Sequence, residues 1–415
     1  MSETLSSWLD KLEKRHPKSI DLGLDRCSAV YQNLGSPEPA PRIITVGGTN
    51  GKGSVVAYLS AILIARGFRC ASYTSPHLLT FNERVRIDNE PVSDEALIKA
   101  FESTEAALND TSLTYFEFTT LAAFQLMNHE KPDFAVLEVG LGGRLDTVNL
   151  VDPDCAVITN IALDHQQFLG NDRESIGFEK SGIMRKDIPV VCGDRHPPDS
   201  LVEQAASRGS HLHVLGQDFD HSAGKDAMSL KLGNQRIEVP PPAMTGEHQR
   251  DNLAIALAAI HYLDEDILKG RWAWKKAVSQ VRLRGRLYPL PTDPRIVIDV
   301  GHNPHAARVV TDYLADDPCD QVICVLGMLR DKEAGVVAGI LDSEVDHWLC
   351  AGLPGSRGQS GEALARKIAS VRGRVSNFTD VCQAMAAARD RAGTNDRILV
   401  FGSFETAAAA LRVSG

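Results

Sequence analysis

Short apolar runs alternate with longer amphipathic segments along most of this chain. RIITV (42–46), FAVLEV (134–139), AVIT (156–159) and PVVC (189–192) read as buried strands. Continuous apolar runs of this length suit a sheet covered on both faces. Ser54 to Arg66 and Phe116 to Asn128 carry apolar residues at helical spacing. The alternation predicts βαβ units and a mostly parallel sheet, open to ligands at its carboxyl edge. From His211 to Val239 the pattern changes to polar-interrupted stretches (HLHVLG, MSLKLG, RIEVP), which predict a small antiparallel sheet closed by Pro240, Pro241 and Pro242. After Arg286 a second α/β series begins with RIVIDV (295–300), QVICVLG (321–327), HWLCAG (347–352) and RILVFG (397–402). An alanine-rich helix is expected over Val381 to Ala392.

The segment LRGRLYPLPTDP interrupts both patterns, so the expected division is residues 1–286 and 287–415. A length of 415 residues suits two cores better than one. Hydrophobic residues make up 43% and charged residues 24%, the balance of a soluble globular protein. No apolar run approaches the roughly 20 residues needed to cross a bilayer. The start, MSETLSSWLDKLEKRHPK, lacks the apolar core of a secretory signal, which makes the cytoplasm the expected location. Eight cysteines without a C-x-x-C pair read as reduced thiols, not as a zinc site or a disulfide frame. A net charge of −10 argues against nucleic acid or anionic membrane as partners. An anionic substrate therefore needs a locally positive site.

IITVGGTNGKGS supplies one. A buried strand runs into a glycine turn and then a helix start, an arrangement that aims backbone N–H groups and the helix dipole at phosphate oxygens. Lys52 is placed for the β- and γ-phosphates, with Asn50, Gly51, Gly53 and Ser54 forming the cradle. The loop departs from the strict Walker pattern: Val46 stands where its first glycine belongs, and Gly53 separates Lys52 from Ser54. It predicts nucleoside triphosphate binding without fixing the reaction.

Further polar groups follow other strands. Glu138 ends FAVLEV ahead of Gly140, Gly142 and Gly143, and Asp164 and His165 follow AVIT. Mg²⁺ prefers oxygen ligands and keeps several waters, so one or two such groups plus phosphates suffice. In YTSPHLLTFNERVRID, Ser75 offers an oxygen to a metal, while His77, Arg84 and Arg86 offer positive charge to an anion. A proline-containing turn and a charged edge strand explain that segment equally well. Lys180, in FEKSGIM, reads by itself as part of a solvated helix face.

Taken together, GTNGKGS, TSPHL, ERVR, LEVGLGGRLD, LDH, FEKSGI, HQRDN, GR and DVGHNP resemble the Mur ligase superfamily. Within it they look like the folylpolyglutamate synthase family, in its bacterial bifunctional branch. The resemblance runs from IDLGLDR (20–26) to FGSFET (401–406). It implies an N-terminal P-loop mononucleotide-binding α/β domain carrying a small antiparallel sheet, and a C-terminal Rossmann-like α/β domain. It also implies two Mg²⁺ ions, one held by Ser75 with the ATP phosphates and one by Glu138 and His165, and it leaves room for a monovalent cation such as K⁺. Lys180 matches a lysine that is carbamylated in the family. Asn252 matches a nucleotide contact and Arg286 a hinge arginine that reaches phosphates. Asp299, His302 and Asn303 match the second domain's contribution. Leu22, Gly23, Arg26, Phe116 and Thr147 fall in segments that line the pterin or folate site. Ser54, Gly301 and Thr147 depart from the residues usual at their positions, and none of these changes removes a charge or a metal ligand.

The implied reaction transfers the γ-phosphoryl group of ATP to the carboxylate of dihydropteroate, or to the terminal γ-carboxylate of a reduced folate. L-Glutamate then attacks the acyl phosphate, a task of positioning and charge neutralisation. Lys52, Lys180, His302 and Asp299 are the implied catalytic groups, and a monomer is the family expectation. Rival readings at this point are a monofunctional folylpolyglutamate synthase, a peptidoglycan-type Mur ligase, a P-loop switch or kinase, and a nucleotide-binding module without catalysis. The phosphate loop begins 46 residues in, which leaves no space ahead of it for the extra domain of a peptidoglycan-type enzyme.

Overall fold

The structure is a computed structural model and describes residues 3–18, 20–224, 227–270 and 273–414. It divides into two compact units, Met1–Ala243 with Gln249–Val281, and Met244–His248 with Arg282–Gly415.

The first unit is built on β1 (Arg42–Gly47), β2 (Cys70–Tyr73), β3 (Val85–Ile87), β4 (Glu90–Pro91), β5 (Phe134–Glu138), β6 (Cys155–Ile158), β7 (Pro189–Cys192) and β8 (His211–Val214). Their order in the sheet is β4-β3-β2-β5-β1-β6-β7-β8. Every pairing from β2 to β8 is parallel, and β3 and β4 add an antiparallel edge. The two strands flanking β1 are β5 and β6, so the chain crosses from one side of β1 to the other after Glu138. Such a switch point leaves a crevice beyond the carboxyl ends of the strands, where α/β proteins bind ligands. The loop after β1 stands at that crevice.

The central strands are buried along their whole length, as their apolar runs predict. The helix Lys52–Ala65 is apolar almost all round and buried over most of its length. The helix Tyr115–Glu130 starts with a capping box, in which Thr114 and Glu117 satisfy each other's backbone amides. The N-terminal helix Leu5–Arg15 buries Leu5, Trp8 and Leu12, spaced to form one face. The Trp8 ring stacks on Phe118, with centroids 6.4 Å apart. Burying side chains of this size stabilises the unit by roughly 1.5–3 kcal/mol each.

A three-stranded antiparallel sheet follows, with β10 (Met228–Leu232) between β9 (Phe219–Ala223) and β11 (Gln235–Val239). The antiparallel excursion expected over residues 211–239 is therefore shorter than its sequence pattern. β8 pairs in parallel with β7, matching Leu212 to Val190, and belongs to the main sheet. Its broken apolar pattern is that of an edge strand, with only Val214 of its four residues buried.

The second unit holds β12 (Tyr288–Leu290), β13 (Asp293–Ile298), β14 (Val322–Leu326), β15 (His347–Ala351), β16 (Arg374–Phe378) and β17 (Arg397–Phe401). Their order is β12-β13-β17-β14-β15-β16, parallel except for β12. Trp348 and Phe401 are fully buried in its core. β16 escaped the apolar-run reading because RVSNF is a polar edge strand. The α/β expectation for both units holds, and the expected helix at Val381 spans Val381–Arg391. All eight cysteines are free, six of them buried. No helix among the described residues is long and apolar enough to cross a membrane.

Candidate active site

The loop after β1 owes its shape to glycine. Gly48 and Gly51 have φ of 133° and 86°, where side chains are strained. A Cβ on Gly48 would sit 1.9 Å from Thr159 Oγ1, and one on Gly51 would sit 2.4 Å from Asn252 Oδ1. Thr159 and Asn160, which follow β6, brace the loop. Thr159 Oγ1 donates to Asn50 O at 2.6 Å, and the Asn50 amide donates to Asn160 Oδ1 at 3.0 Å. Gly51 caps the helix Lys52–Ala65 without a side chain of its own, leaving first-turn amides directed at the loop. Lys52 Nζ arches back to the carbonyls of Gly48 and Thr49 at 3.0 and 3.1 Å. Gly53 lies in the first helical turn, followed by Ser54, whose buried Oγ has no hydrogen-bond partner. A buried hydroxyl in that state is costly unless a ligand completes it.

Beside the loop, Glu138 ends β5 and is 5% exposed. Its Oε2 accepts the Ser75 amide at 3.1 Å, so the structure brings these two candidates together. Arg84 and His77 are paired, with Arg84 Nε donating to His77 Nδ1 at 3.0 Å, and the guanidinium packs over Phe81 and Tyr115. Arg86 Nη1 binds Asn89 O in a local turn. His165 caps a short helix in a left-handed conformation, φ 51°, with its amide on Asp164 Oδ1 at 2.8 Å.

Lys180 is buried at 3% exposure in the last turn of the helix Arg173–Ser181, which overturns the solvated-face reading. Burial and the nearby Lys52 charge lower its pKa from 10.5 to about 7, against the opposing pull of Asp164 and Asp146. Sequence reasoning had not singled out Asp146. It accepts the amides of Leu141 and Val148 at 2.8 and 2.9 Å, and burial pushes its pKa up to about 6. Thr159, Asn160 and Asp146 share one signal that could have found them: each is a polar residue in or beside a turn that follows a buried strand. The Gly140–Asn149 loop is fastened to the Lys180 helix. The Arg144 amide donates to Glu179 O at 2.8 Å, and a Cβ on Gly143 would meet Lys180 O at 2.9 Å.

The residues expected to line the acceptor pocket also have neighbours in common. Phe116 lies against the Gly140 backbone, its ring 2.5 Å from where a Cβ would stand. Arg26 joins Asp21 at 2.9 Å and the buried Glu117 at 2.9 Å, tying the Leu22–Gly23 segment to the helix that carries Phe116. Cys27 is pushed up to about 11, chiefly by burial, with Thr147 among the neighbours that oppose the rise. Leu22 and Gly23 remain partly exposed.

Within the second unit, Asp299 accepts the Leu287 and Gly301 amides at 2.9 and 2.7 Å. Burial raises its pKa, opposed first by Arg286. His302 Nδ1 lies 3.0 Å from Val300 O, and Asn303 caps the helix Pro304–Asp316. The Arg286 guanidinium lies over Phe404.

Among the described residues no three His, Cys, Asp or Glu side chains form a cation cage. Mg²⁺ does not require one, since it keeps waters and takes oxygens from phosphates. The orphaned Ser54 hydroxyl and the buried Glu138 carboxylate fit a nucleotide with such an ion.

Comparison with known proteins gives the same direction. The Mur ligase middle domain family matches residues 46–260, and the Mur ligase glutamate ligase domain family matches residues 285–404. A dihydrofolate synthase/folylpolyglutamate synthase of Haemophilus influenzae is 41% identical, covering 97% of this chain and 96% of its own. That of Escherichia coli is 40% identical, with 99% and 95% covered. Among solved structures, Escherichia coli FolC in complex with DHPP and ADP superposes with a TM-score of 0.94 at 39% identity, covering 99% of this chain and 98% of that one. The bifunctional enzyme of Yersinia pestis complexed with AMPPNP and Mn ion gives 0.91 at 40% identity, with 99% and 98% covered. This chain belongs to the Mur ligase family, in its dihydrofolate synthase/folylpolyglutamate synthase branch.

Proposed function

We propose that this protein is an ATP-dependent ligase that adds L-glutamate to dihydropteroate and to the γ-carboxylate of reduced folates. One observation carries the reading: the glycine loop with Lys52 and the unpartnered Ser54 hydroxyl adjoins a buried lysine and an acidic strand end. A switch or kinase has no evident use for that lysine. Residues 1–286 then hold nucleotide and pterin, and residues 287–415 serve glutamate. Lys52 neutralises charge on the transferring phosphoryl group, with Asn50, Gly51, Gly53, Ser54 and Asn252 fixing the nucleotide. Ser75, Glu138 and His165 would hold divalent cations, which supply charge neutralisation on the phosphates when bound. Phe116, Arg26, Thr147, Leu22 and Gly23 shape the pterin pocket. Arg286, Asp299 and His302 orient phosphate and the incoming amino acid.

A lysine with a pKa lowered to about 7 has a substantial share of uncharged amine at neutral pH, the form that captures CO₂. This supports carbamylation of Lys180, which would place an anion there. A monovalent cation such as K⁺, a monomeric state, a cytoplasmic location and the absence of nucleic-acid or membrane partners complete the reading. The test is incubation with ATP, Mg²⁺ and glutamate, with dihydropteroate or tetrahydrofolate as acceptor. Phosphate release that depends on the acceptor, with products heavier by one glutamyl residue, is expected from both. No release with either pterin would sink the folate reading, and release with tetrahydrofolate alone would leave a monofunctional synthase.

A further inference from the structure

The helix Glu247–Leu263 begins beside a charge network that the ligase chemistry does not use. Asp251 Oδ1 accepts from His221 Nε2 at 2.8 Å and from Arg195 Nη2 at 3.4 Å. Arg195 Nη1 also reaches Asp220 Oδ1 at 2.9 Å. Asp220 and His221 lie on β9 of the antiparallel sheet, whereas Arg195 lies in the turn after β7. One carboxylate on the helix therefore gathers two separate elements of the first unit. The same turn is pressed on the helix at Gly193, where a Cβ would stand 2.2 Å from Ile255 Cδ1.

The histidine is committed to this bond. A carboxylate only accepts, so Nε2 carries the proton. The ring is 5% exposed, and its Nδ1 is buried without a partner. A ring nitrogen left in that state disfavours the placement, and the bond to Asp251 compensates.

The next residue is Asn252, whose Oδ1 occupies the space a Cβ on Gly51 would need. Successive residues on a helix point about 100° apart, so clamping Asp251 fixes the rotation at which Asn252 meets the phosphate loop. We propose that Asp251, held by His221 and Arg195, is a positioning residue for nucleotide binding that sets Asn252 against the loop. The proposal rests on reading Asn252 as a nucleotide contact.

The test is calorimetric titration with ADP and Mg²⁺, alongside KM for each substrate. Asp251→Ala is expected to weaken ADP and raise the KM for ATP by about fivefold, with the KM for pterin and glutamate changed by less than about twofold. Asp251→Asn keeps an oxygen facing His221 and should restore ADP binding to within about twofold of the unaltered chain. His221→Phe attacks the pair from its other end and covers the case in which an Asp251 variant does not fold. It should weaken ADP as Asp251→Ala does, and the double variant should weaken it no further. Additive losses would overturn the proposal. So would a lower melting temperature with unchanged ADP affinity in Asp251→Ala, provided that Asn252→Ala does weaken ADP. If Asn252→Ala leaves ADP affinity unchanged, the nucleotide-contact reading fails first and takes the proposal with it.

Discussion

Ser75 donates its backbone amide to Glu138 at 3.1 Å, so the ends of neighbouring strands β2 and β5 share one buried carboxylate. The amide bond survives replacement of Glu138 by glutamine, whereas the charge does not. Glu138→Gln should therefore keep its melting temperature within a few degrees and lose about 10²–10³-fold in kcat/KM, the scale of losing one preorganised electrostatic group. Excess Mg²⁺ should recover part of the loss. Near-normal turnover at ordinary Mg²⁺ would remove Glu138 from the metal site.

Lys52 Nζ reaches the loop carbonyls of Gly48 and Thr49, and its stem is partly exposed. Lys52→Ala should abolish measurable turnover with an unchanged circular dichroism spectrum. Retained activity would mean that the loop serves a structural turn.

Lys180 gives a signed dependence on pH. Its folded pKa is depressed to about 7 from 10.5. Between these values the unfolded chain holds a proton that the folded chain lacks, so stability rises with pH across the window. The penalty, on the order of a few kcal/mol, is fully present below the folded pKa. In bicarbonate-free buffer Lys180→Met should melt above the unaltered chain near about pH 6.5, with the gap closing towards about pH 9.5. A gap independent of pH would show that the amine is not the titrating group. With ¹³C-bicarbonate, a carbamate carbon signal should appear in the unaltered chain and be absent from the methionine variant.

Gly301 follows Asp299 and Val300 at the carboxyl end of β13, where there is little room for a side chain. Here a Cβ would meet Ala306 Cβ and Phe401 at 2.7 Å and Asp299 Oδ1 at 2.8 Å. Gly301→Ala should cost about 1–3 kcal/mol, the range for overpacking, read as a lower melting temperature. A neutral result would show that the second unit shifts readily around Asp299.

Arg26 bridges Asp21 and Glu117, and removing it leaves the buried Glu117 with its capping role alone. Arg26→Ala should raise the KM for the pterin acceptor by about tenfold, with little change for ATP or glutamate. An equal rise in all three would assign Arg26 to general stability.

Much of this was legible in the sequence for physical reasons. Strands buried on both faces write themselves as apolar runs, and β1, β5, β6, β7, β14 and β17 were visible in that way. Edge strands bury one face or less, so β8 was assigned to the wrong sheet and β16 was missed. The phosphate loop was legible because its glycines and lysine are adjacent in the chain. Asp146, Thr159 and Asn160 were not singled out, because their part depends on neighbours brought together by the fold. The bond from His221 to Asp251 spans 30 residues, with β10 and β11 between its ends, and has no local pattern to announce it.

The contact between Gly51 and Asn252 also imposes an order on how this loop can change over generations. With Oδ1 2.4 Å from the missing Cβ, any side chain at position 51 arrives into occupied space, and its backbone at φ 86° adds a second obstacle. A lineage could give up the glycine only after position 252 had shrunk, and would forfeit that amide first. The two sites thus change in a fixed order: the asparagine guards the glycine, and position 51 cannot move first.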